Sequence, residues 1–139
     1  AESKWLYYLR AILQAAVDVV LWMEEGRSVI VHCSDGWDRT SQVCSLAQVL
    51  MDPHYRTKRG FATLVQKDWM SFGHMFGERT GQADDKHQSS QRSPIFHQWI
   101  ECVYQVLRQY PSAFEFNEDF LLALGDHLYS CRFGDFLFN

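Results

Sequence analysis

The sequence predicts an α/β fold that is mostly helical in this chain, with one strand leading into a loop of the form C-x5-R. Three observations predict this fold. Long stretches carry apolar residues at helical spacing, a β-branched run occupies residues 28–32, and a cysteine and an arginine enclose the five residues that follow. A single strand cannot form a sheet by itself, so we expect the chain to be one piece of a larger domain.

The composition of the 139 residues fits a globular domain and argues against several functions. Hydrophobic residues make up 47%, enough for a core, and a net charge of −4 provides no basic surface for nucleic acid. We expect no signal peptide and no apolar run long enough to span a bilayer. The four cysteines are scattered without a CxxC pair, which predicts no metal site and a reducing, intracellular compartment.

The first part of the chain should form a helix, the strand, the loop and a second helix. Apolar residues at helical spacing predict a helix over 5–23, with Gly26 as its C-terminal cap. The run 28–32 has the pattern of a short strand that is buried on both faces. After the loop 34–38, a second helix should continue until the residue before Pro53.

The rest of the chain should be helical, with one polar loop. Apolar residues within 61–72 predict a further helix, and the polar stretch 81–92 predicts a loop. Ser93 and Pro94 are expected to start the next helix, as its N-cap and its first-turn residue. Asn117 is expected to cap the last helix.

The loop after the predicted strand has the features of an anion site, because loop amides converge there and the next helix adds positive potential. Cys33 begins this loop, where a thiolate would be stabilised, and the Arg39 guanidinium can hold two phosphate oxygens. The Thr40 hydroxyl is placed to bond to the Cys33 sulfur. The pattern therefore predicts attack by Cys33 on a phosphate monoester, with Arg39 and the amides stabilising the equatorial oxygens.

Protonation of the leaving group needs an acid, and the loop holds two carboxyl groups. Asp35 and Asp38 both fit, because a bound phosphate favours the protonated form of a neighbouring carboxyl. Asp38 fits a helix-capping role equally well, and spacing leaves the choice open. His32 and His74 are interpreted as structural hydrogen-bonding residues, with His32 supporting the loop.

The motif HCSDGWDRT resembles that of the myotubularin phosphoinositide 3-phosphatases, a branch of the cysteine-dependent phosphatases. The similarity continues through DPHYRTKRGFATLVQKDWMSFGH, SPIFHQWIECVYQ and FEFNEDFLLALGDHLYSCRFGDFLFN, and covers essentially the whole chain. The resemblance implies a cysteine-dependent, protein tyrosine phosphatase-like fold. Residues 1–139 would then be the C-terminal portion of a myotubularin-like phosphatase domain.

The resemblance also implies an activity: hydrolysis of the D3 phosphate of phosphatidylinositol 3-phosphate and phosphatidylinositol 3,5-bisphosphate through a cysteinyl-phosphate intermediate. It implies Cys33 as the nucleophile, Arg39 as the phosphate clamp and Asp38 as the general acid. No metal or cofactor is implied. The other loop residues would line the phosphate and the headgroup: Ser34, Asp35, Gly36 and Trp37.

A further implied contact is that of Arg79 with the substrate headgroup, where it would help to hold a 5-phosphate. The family usually has a second basic residue four positions earlier, and this sequence has Met75 there. Residues four apart share a helix face, so one positive charge is missing from it. This departure predicts weaker discrimination between the monophosphate and bisphosphate lipids.

The implied partners are phosphoinositide lipids, a peripheral membrane surface and other myotubularins, as a homo- or hetero-oligomer. The implied location is cytoplasmic, on endosomal membranes. Two other functions share parts of the pattern. A protein tyrosine or dual-specificity phosphatase uses the same loop chemistry, although two acidic loop residues would repel acidic phosphopeptides. Scaffold or adaptor members of the family have lost the loop cysteine or arginine, whereas Cys33 and Arg39 are both present here.

Overall fold

The structure is a computed structural model that describes residues 4–82, 91–132 and 134–136. The mostly helical content predicted from the sequence is confirmed for these residues. Their α-helices are α1 Trp5–Glu24, α2 Arg39–Met51, α3 Lys58–Val65, α4 Phe76–Thr80, α5 Ile95–Gln109 and α6 Glu118–His127. A π-helical turn, Gln66–Met70, extends α3, and 3-10 turns occupy Pro53–Arg56, Pro111–Ala113 and Gly134–Phe136.

The strand predicted for residues 28–32 is not formed. Residues 27–33 have no regular secondary structure, and no strand occurs among the residues that the structure describes. Ile30 is 90% exposed rather than buried. The physical reason is that the N–H and C=O groups of a strand need a neighbouring strand, and the described part of this chain offers none. The strand expected within the described residues is therefore wrong, and their regular segments are all helical, whereas the α/β phosphatase fold of the larger domain stays a prediction.

The end of α1 confirms the cap predicted at Gly26. This residue has φ of +79°, in the left-handed region that favours glycine. Its amide donates to the Met23 carbonyl at 2.9 Å, and the Arg27 amide donates to the Trp22 carbonyl at 3.0 Å. Together these two bonds form a Schellman motif, which satisfies the last carbonyls of α1 and directs the chain toward the cysteine loop.

By length and composition alone, α1 could cross a membrane, with 20 residues and a mean hydropathy of 1.4. The expectation that the chain holds no such run is therefore wrong. Length and composition do not distinguish a membrane span from a core helix, and α1 packs against α2 and α5. The side chains that it buries are Leu9, Ile12, Ala16 and Val19.

The core is rich in aromatic residues. The largest fully buried side chains include Trp69, Trp99, Phe61, Phe76 and Phe96. The rings of Trp69 and Phe76 pack edge-on against His74, with centroids at 4.9 and 4.6 Å. The segment that links the π turn to α4 is thereby fixed to the core.

Side chains cap the starts of α3 and α6. The Thr57 hydroxyl accepts from the Gly60 amide at 3.0 Å, and Asn117 Oδ1 accepts from the Phe120 amide at 3.4 Å. The capping role predicted for Asn117 is therefore confirmed.

The start of α5 differs from the prediction by one position. The helix begins at Ile95 and Pro94 occupies the N-cap position, so Ser93 is not the cap. The Ser93 amide instead donates to the Arg79 carbonyl at 3.1 Å, a contact with α4 that local sequence does not reveal. Within the predicted loop 81–92, residues 83–90 lie outside the described residues.

Candidate active site

The segment 33–38 forms an irregular loop that leads directly into α2. Gly36 has φ of +95°, a conformation that side chains other than hydrogen disfavour. With this backbone turn, the Gly36 amide donates to Cys33 Sγ at 3.2 Å. Glycine at this position therefore lets the loop fold back on the sulfur.

The environment of Cys33 stabilises its thiolate. Burial acts to raise the pKa of Cys33, but hydrogen bonds from the side chain and amide of Thr40 and from the amides of Gly36 and Asp35 outweigh it. They lower the pKa from 9.0 to about 6, so the sulfur is mostly ionised at neutral pH. The buried Thr40 hydroxyl has no oxygen or nitrogen acceptor among the described residues, which leaves it available to the sulfur.

Arg39 is the first residue of α2 and is exposed. Its Nη2 donates to Ser34 Oγ at 3.0 Å, which ties the guanidinium to the loop. Its other guanidinium N–H groups have no hydrogen-bond partner among the described residues. They can therefore bind the oxygens of a phosphate in the planar, two-point geometry that arginine favours.

Asp38 precedes α2, but its side chain does not cap that helix. Arg79 Nη2 and Nε donate to Asp38 Oδ2 at 2.8 and 3.2 Å, and His74 Nδ1 lies 2.8 Å from Oδ1. Burial raises the pKa of Asp38, but the hydrogen bonds and charge of His74 and Arg79 more than offset it and hold the pKa below its usual range. Asp38 is therefore a carboxylate at neutral pH.

Arg79 is held on two sides by this arrangement. Its Nη1 donates to the backbone and side-chain oxygens of Gln91, both at 3.1 Å, and the side chain is only 11% exposed. Met75 lies directly before α4, and its carbonyl accepts from the Arg79 amide at 2.9 Å. The structure thus pairs Arg79 with Asp38, and the predicted contact of Arg79 with a headgroup stays a prediction.

The other predicted residues of the loop have distinct surroundings. Asp35 is exposed, whereas Trp37 is partly buried and its carbonyl accepts from the Ser41 hydroxyl at 3.2 Å and lies 3.0 Å from His74 Nδ1. The interpretation of His74 as a hydrogen-bonding residue is confirmed. His32 is exposed and has no hydrogen-bond partner among the described residues, so its supporting role is wrong. A solvent-facing ring cannot brace the loop.

The sequence interpretation missed the contacts of Asp38 with His74 and Arg79. The carboxyl and the guanidinium are 41 positions apart, and no periodic or local pattern connects them.

Across the described residues, no group of three or more His, Cys, Asp or Glu side chains could hold a metal ion.

Known proteins are similar to this chain over essentially its full length. The family model described as a myotubularin-like phosphatase domain matches residues 1–139. Myotubularin of Xenopus laevis is 54% identical over 139 residues, which is 99% of this chain and 23% of that protein. The phosphatidylinositol-3,5-bisphosphate 3-phosphatase mtm-1 of Caenorhabditis elegans is 50% identical, with 99% of this chain and 24% of the relative covered. The phosphatidylinositol-3-phosphate phosphatase MTMR7 of Homo sapiens is 54% identical, with 99% and 21% covered.

The chain spans less than a quarter of the length of these relatives. The match nevertheless includes every residue of the cysteine loop and all the helices that surround it. The chain therefore belongs to the family of myotubularin-like phosphatase domains.

Proposed function

We propose that the protein containing this chain is a phosphoinositide 3-phosphatase that removes the D3 phosphate from phosphatidylinositol 3-phosphate and phosphatidylinositol 3,5-bisphosphate. The observation that carries the proposal is the Cys33 thiolate, which accepts hydrogen bonds from its own loop. Arg39 follows it in the sequence, at the start of α2. Relatives named for the hydrolysis of these two lipids support the substrate class.

In the first step, the Cys33 sulfur attacks phosphorus, and the bond between phosphorus and the D3 oxygen breaks as the S–P bond forms. Loop amides and Arg39 bind the equatorial oxygens as charge develops on them. Asp38 gives its proton to the leaving oxygen. The negative charge of the bound phosphate favours the protonated form of Asp38, whereas Arg79 and His74 favour the carboxylate.

In the second step, water attacks the phosphorus of the cysteinyl phosphate. The Asp38 carboxylate accepts a proton from that water, and the S–P bond breaks. Inorganic phosphate leaves, the Cys33 thiolate is regenerated, and Asp38 again holds a proton for the next cycle.

The proposal extends to the whole domain and its location. A protein tyrosine phosphatase-like fold would supply a neighbouring strand for residues 28–32 from outside this chain. Peripheral attachment to endosomal membranes on their cytoplasmic side, and homo- or hetero-oligomers with other myotubularins, follow from the resemblance. The lipid substrates in the names of the relatives are consistent with a membrane surface.

A turnover assay with the full-length protein tests the function directly. Phosphate release would be measured from soluble short-chain phosphatidylinositol 3-phosphate, its 3,5-bisphosphate, the 5-phosphate isomer and a phosphotyrosine peptide, with Cys33→Ser as the control. We expect release from the two 3-phosphorylated lipids only, and none from the serine variant. Preferential release from the peptide would indicate a tyrosine phosphatase. Lipid binding without turnover would indicate a scaffold.

A further inference from the structure

A histidine outside the cysteine loop contacts that loop at two adjacent residues. We propose that His74 is a positioning residue for the reaction, which uses one Nδ1–H group to hold both the Asp38 carboxylate and the Trp37 carbonyl. The inference rests on the proposed function, because it acts through the residue that protonates the leaving group.

The partners of His74 determine where its hydrogen lies. Nδ1 is 3.0 Å from the Trp37 carbonyl oxygen and 2.8 Å from Asp38 Oδ1. A carbonyl and a carboxylate only accept hydrogen bonds, so Nδ1 must be the donor. His74 Nε2 is buried and has no partner among the described residues, so a hydrogen on that nitrogen would be unsatisfied. Nδ1 therefore carries a hydrogen, which is shared between the two loop residues.

The protein core fixes the direction in which this donor points. The His74 side chain is 1% exposed, and the rings of Trp69 and Phe76 pack nearly perpendicular to it, at 88° and 85°. The His74 amide also donates to the Trp69 carbonyl at 3.0 Å. The ring and the backbone of His74 both contact buried aromatic residues, so the core holds Nδ1 in place. The loop residues that bind Nδ1 are thereby positioned relative to the core.

The charged and titratable groups around this contact come from three other parts of the fold. Arg79, on α4, binds the same carboxylate as His74. His97, on α5, and Tyr129, after α6, line a cavity of about 10 Å³ together with His74 and Arg79. Burial lowers the pKa of His97, which makes a second cation there less favourable. Arg79 thus binds Asp38 with two guanidinium nitrogens, and His74 adds a directed donor at the other carboxylate oxygen.

Loss of this donor should change the pH dependence of kcat, whereas misfolding alone would lower kcat without moving its pH dependence. A hydrogen bond to a carboxylate favours its ionised form, so removing the His74 contact raises the pKa of Asp38. The alkaline limb of kcat, where Asp38 loses its proton, should then move to higher pH. The loss of rate should be largest for a poor leaving group, because only such a group needs a well-placed acid.

The test compares His74→Phe with His74→Asn in the full-length protein, using kcat against pH on short-chain phosphatidylinositol 3-phosphate and on an aryl phosphate. Phenylalanine keeps the ring in the aromatic cluster and removes the donor, whereas the asparagine amide places a donor near the position of Nδ1. We expect His74→Phe to lose roughly tenfold or more in kcat on the lipid, less on the aryl phosphate, and to shift the alkaline limb upward. His74→Asn should keep the unshifted limb. His97→Phe, at the same cavity but without a bond to Asp38, should behave as the wild type.

Unchanged pH profiles in His74→Phe would overturn the inference, as would equal losses on both substrates with an unmoved limb. If thermal unfolding shows that His74→Phe is not folded, His74→Gln takes its place, because its amide reaches the position of Nε2 instead. Equal behaviour of the glutamine and asparagine variants would then overturn the inference. Failure of the wild type to hydrolyse any phosphoinositide would contradict the proposed function instead, so the two failures are distinguishable.

Discussion

At the scale of single residues, the chemistry of the site depends on which groups donate hydrogen bonds to the reactive side chains. Cys33 is a thiolate because amides and a hydroxyl of its own neighbourhood point at its sulfur, and these contacts overcome the effect of burial. Cys102 shows the opposite case, because burial and the nearby charge of Glu101 raise its pKa to about 12. Two thiols in one small fold therefore differ greatly in reactivity.

The first prediction concerns the thiol of Cys33. Its alkylation by iodoacetamide should increase with pH and reach half its maximal rate at about pH 6, because the thiolate is the reactive form. Peptide mass spectrometry would follow Cys33 and, as an internal control, Cys102, which should stay unmodified over the same range. Thr40→Val removes one donor and should move the Cys33 curve to higher pH. A wild-type midpoint near the ordinary thiol value would contradict the assigned hydrogen bonds.

The second prediction concerns the guanidinium of Arg39. Lysine keeps the charge but loses the planar, two-point geometry, so Arg39→Lys should lower kcat/KM for the lipid by roughly a hundredfold or more. Ser34→Ala, which removes only the 3.0 Å contact with Arg39, should have a smaller effect. Steady-state kinetics of the full-length protein measure both, and near-wild-type values for the lysine variant would exclude a bidentate role.

The third prediction concerns the proton donor. Asp38→Asn should reduce hydrolysis of phosphatidylinositol 3-phosphate by about a hundredfold or more, and hydrolysis of an aryl phosphate far less, because that leaving group needs little protonation. Asp35→Asn is the matched control, since Asp35 is an exposed acid of the same loop, and it should lose far less activity on the lipid than Asp38→Asn does. Equal losses on both substrates in Asp38→Asn would indicate a purely structural role for this carboxylate.

At the scale of elements, the site is a meeting point of α2, α4 and the segment between the π turn and α4. The start of α2 presents Arg39, and α4 presents Arg79 to the carboxylate that precedes α2. The π turn Gln66–Met70 ends just before the segment that carries His74. Such turns interrupt the regular helix repeat and are frequent at functional sites. Here the turn places Trp69 edge-on against the His74 ring.

The fourth prediction concerns the residue before α4. Met75→Arg adds a positive charge four positions ahead of Arg79, and a surface ion pair is worth on the order of 1 kcal/mol. We therefore expect kcat/KM for the 3,5-bisphosphate to rise by roughly several-fold, while that for the monophosphate changes little. Soluble short-chain lipids are needed, because a new charge also improves binding to an anionic membrane. Equal gains on both lipids would show that Met75 does not lie near a 5-phosphate.

At the scale of the whole molecule, one aromatic core supports both the fold and the site. Trp69 is fully buried, contacts Phe96 and Trp99, and its Nε1 donates to Ser45 Oγ at 3.2 Å. The same ring packs against His74, so the position of the cysteine loop depends on the packing of the core.

The fifth prediction follows from this shared core. Trp69→Ala should lower the free energy of unfolding by about 3–5 kcal/mol, because it removes a large buried ring and leaves a cavity. Phe72→Ala is the matched control: Phe72 is 58% exposed, and its loss should change stability by only about 0.5 kcal/mol. Thermal or denaturant unfolding of the full-length protein measures both changes. Similar values for the two variants would show that the Trp69 ring does not carry this part of the core.

The sequence by itself determined the features that depend on near neighbours along the chain. Apolar spacing and caps predicted α1, α2, α5 and α6, because a helix forms its hydrogen bonds between residues a few positions apart. The contacts of Cys33 with Gly36 and Thr40, and the position of Arg39 at a helix start, also lie within one short loop. A local motif was therefore enough to identify that part of the site.

Only the tertiary structure decided the features that depend on distant partners. Residues 28–32 have a strand-like composition, yet they form no strand, because strand hydrogen bonds need a neighbour that the described part of the chain lacks. Asp38 fits a helix cap or a free acid by its sequence position, but the fold binds it to His74 and Arg79. Pairs so far apart meet only when helices pack, and packing depends on the whole set of buried side chains rather than on any local pattern.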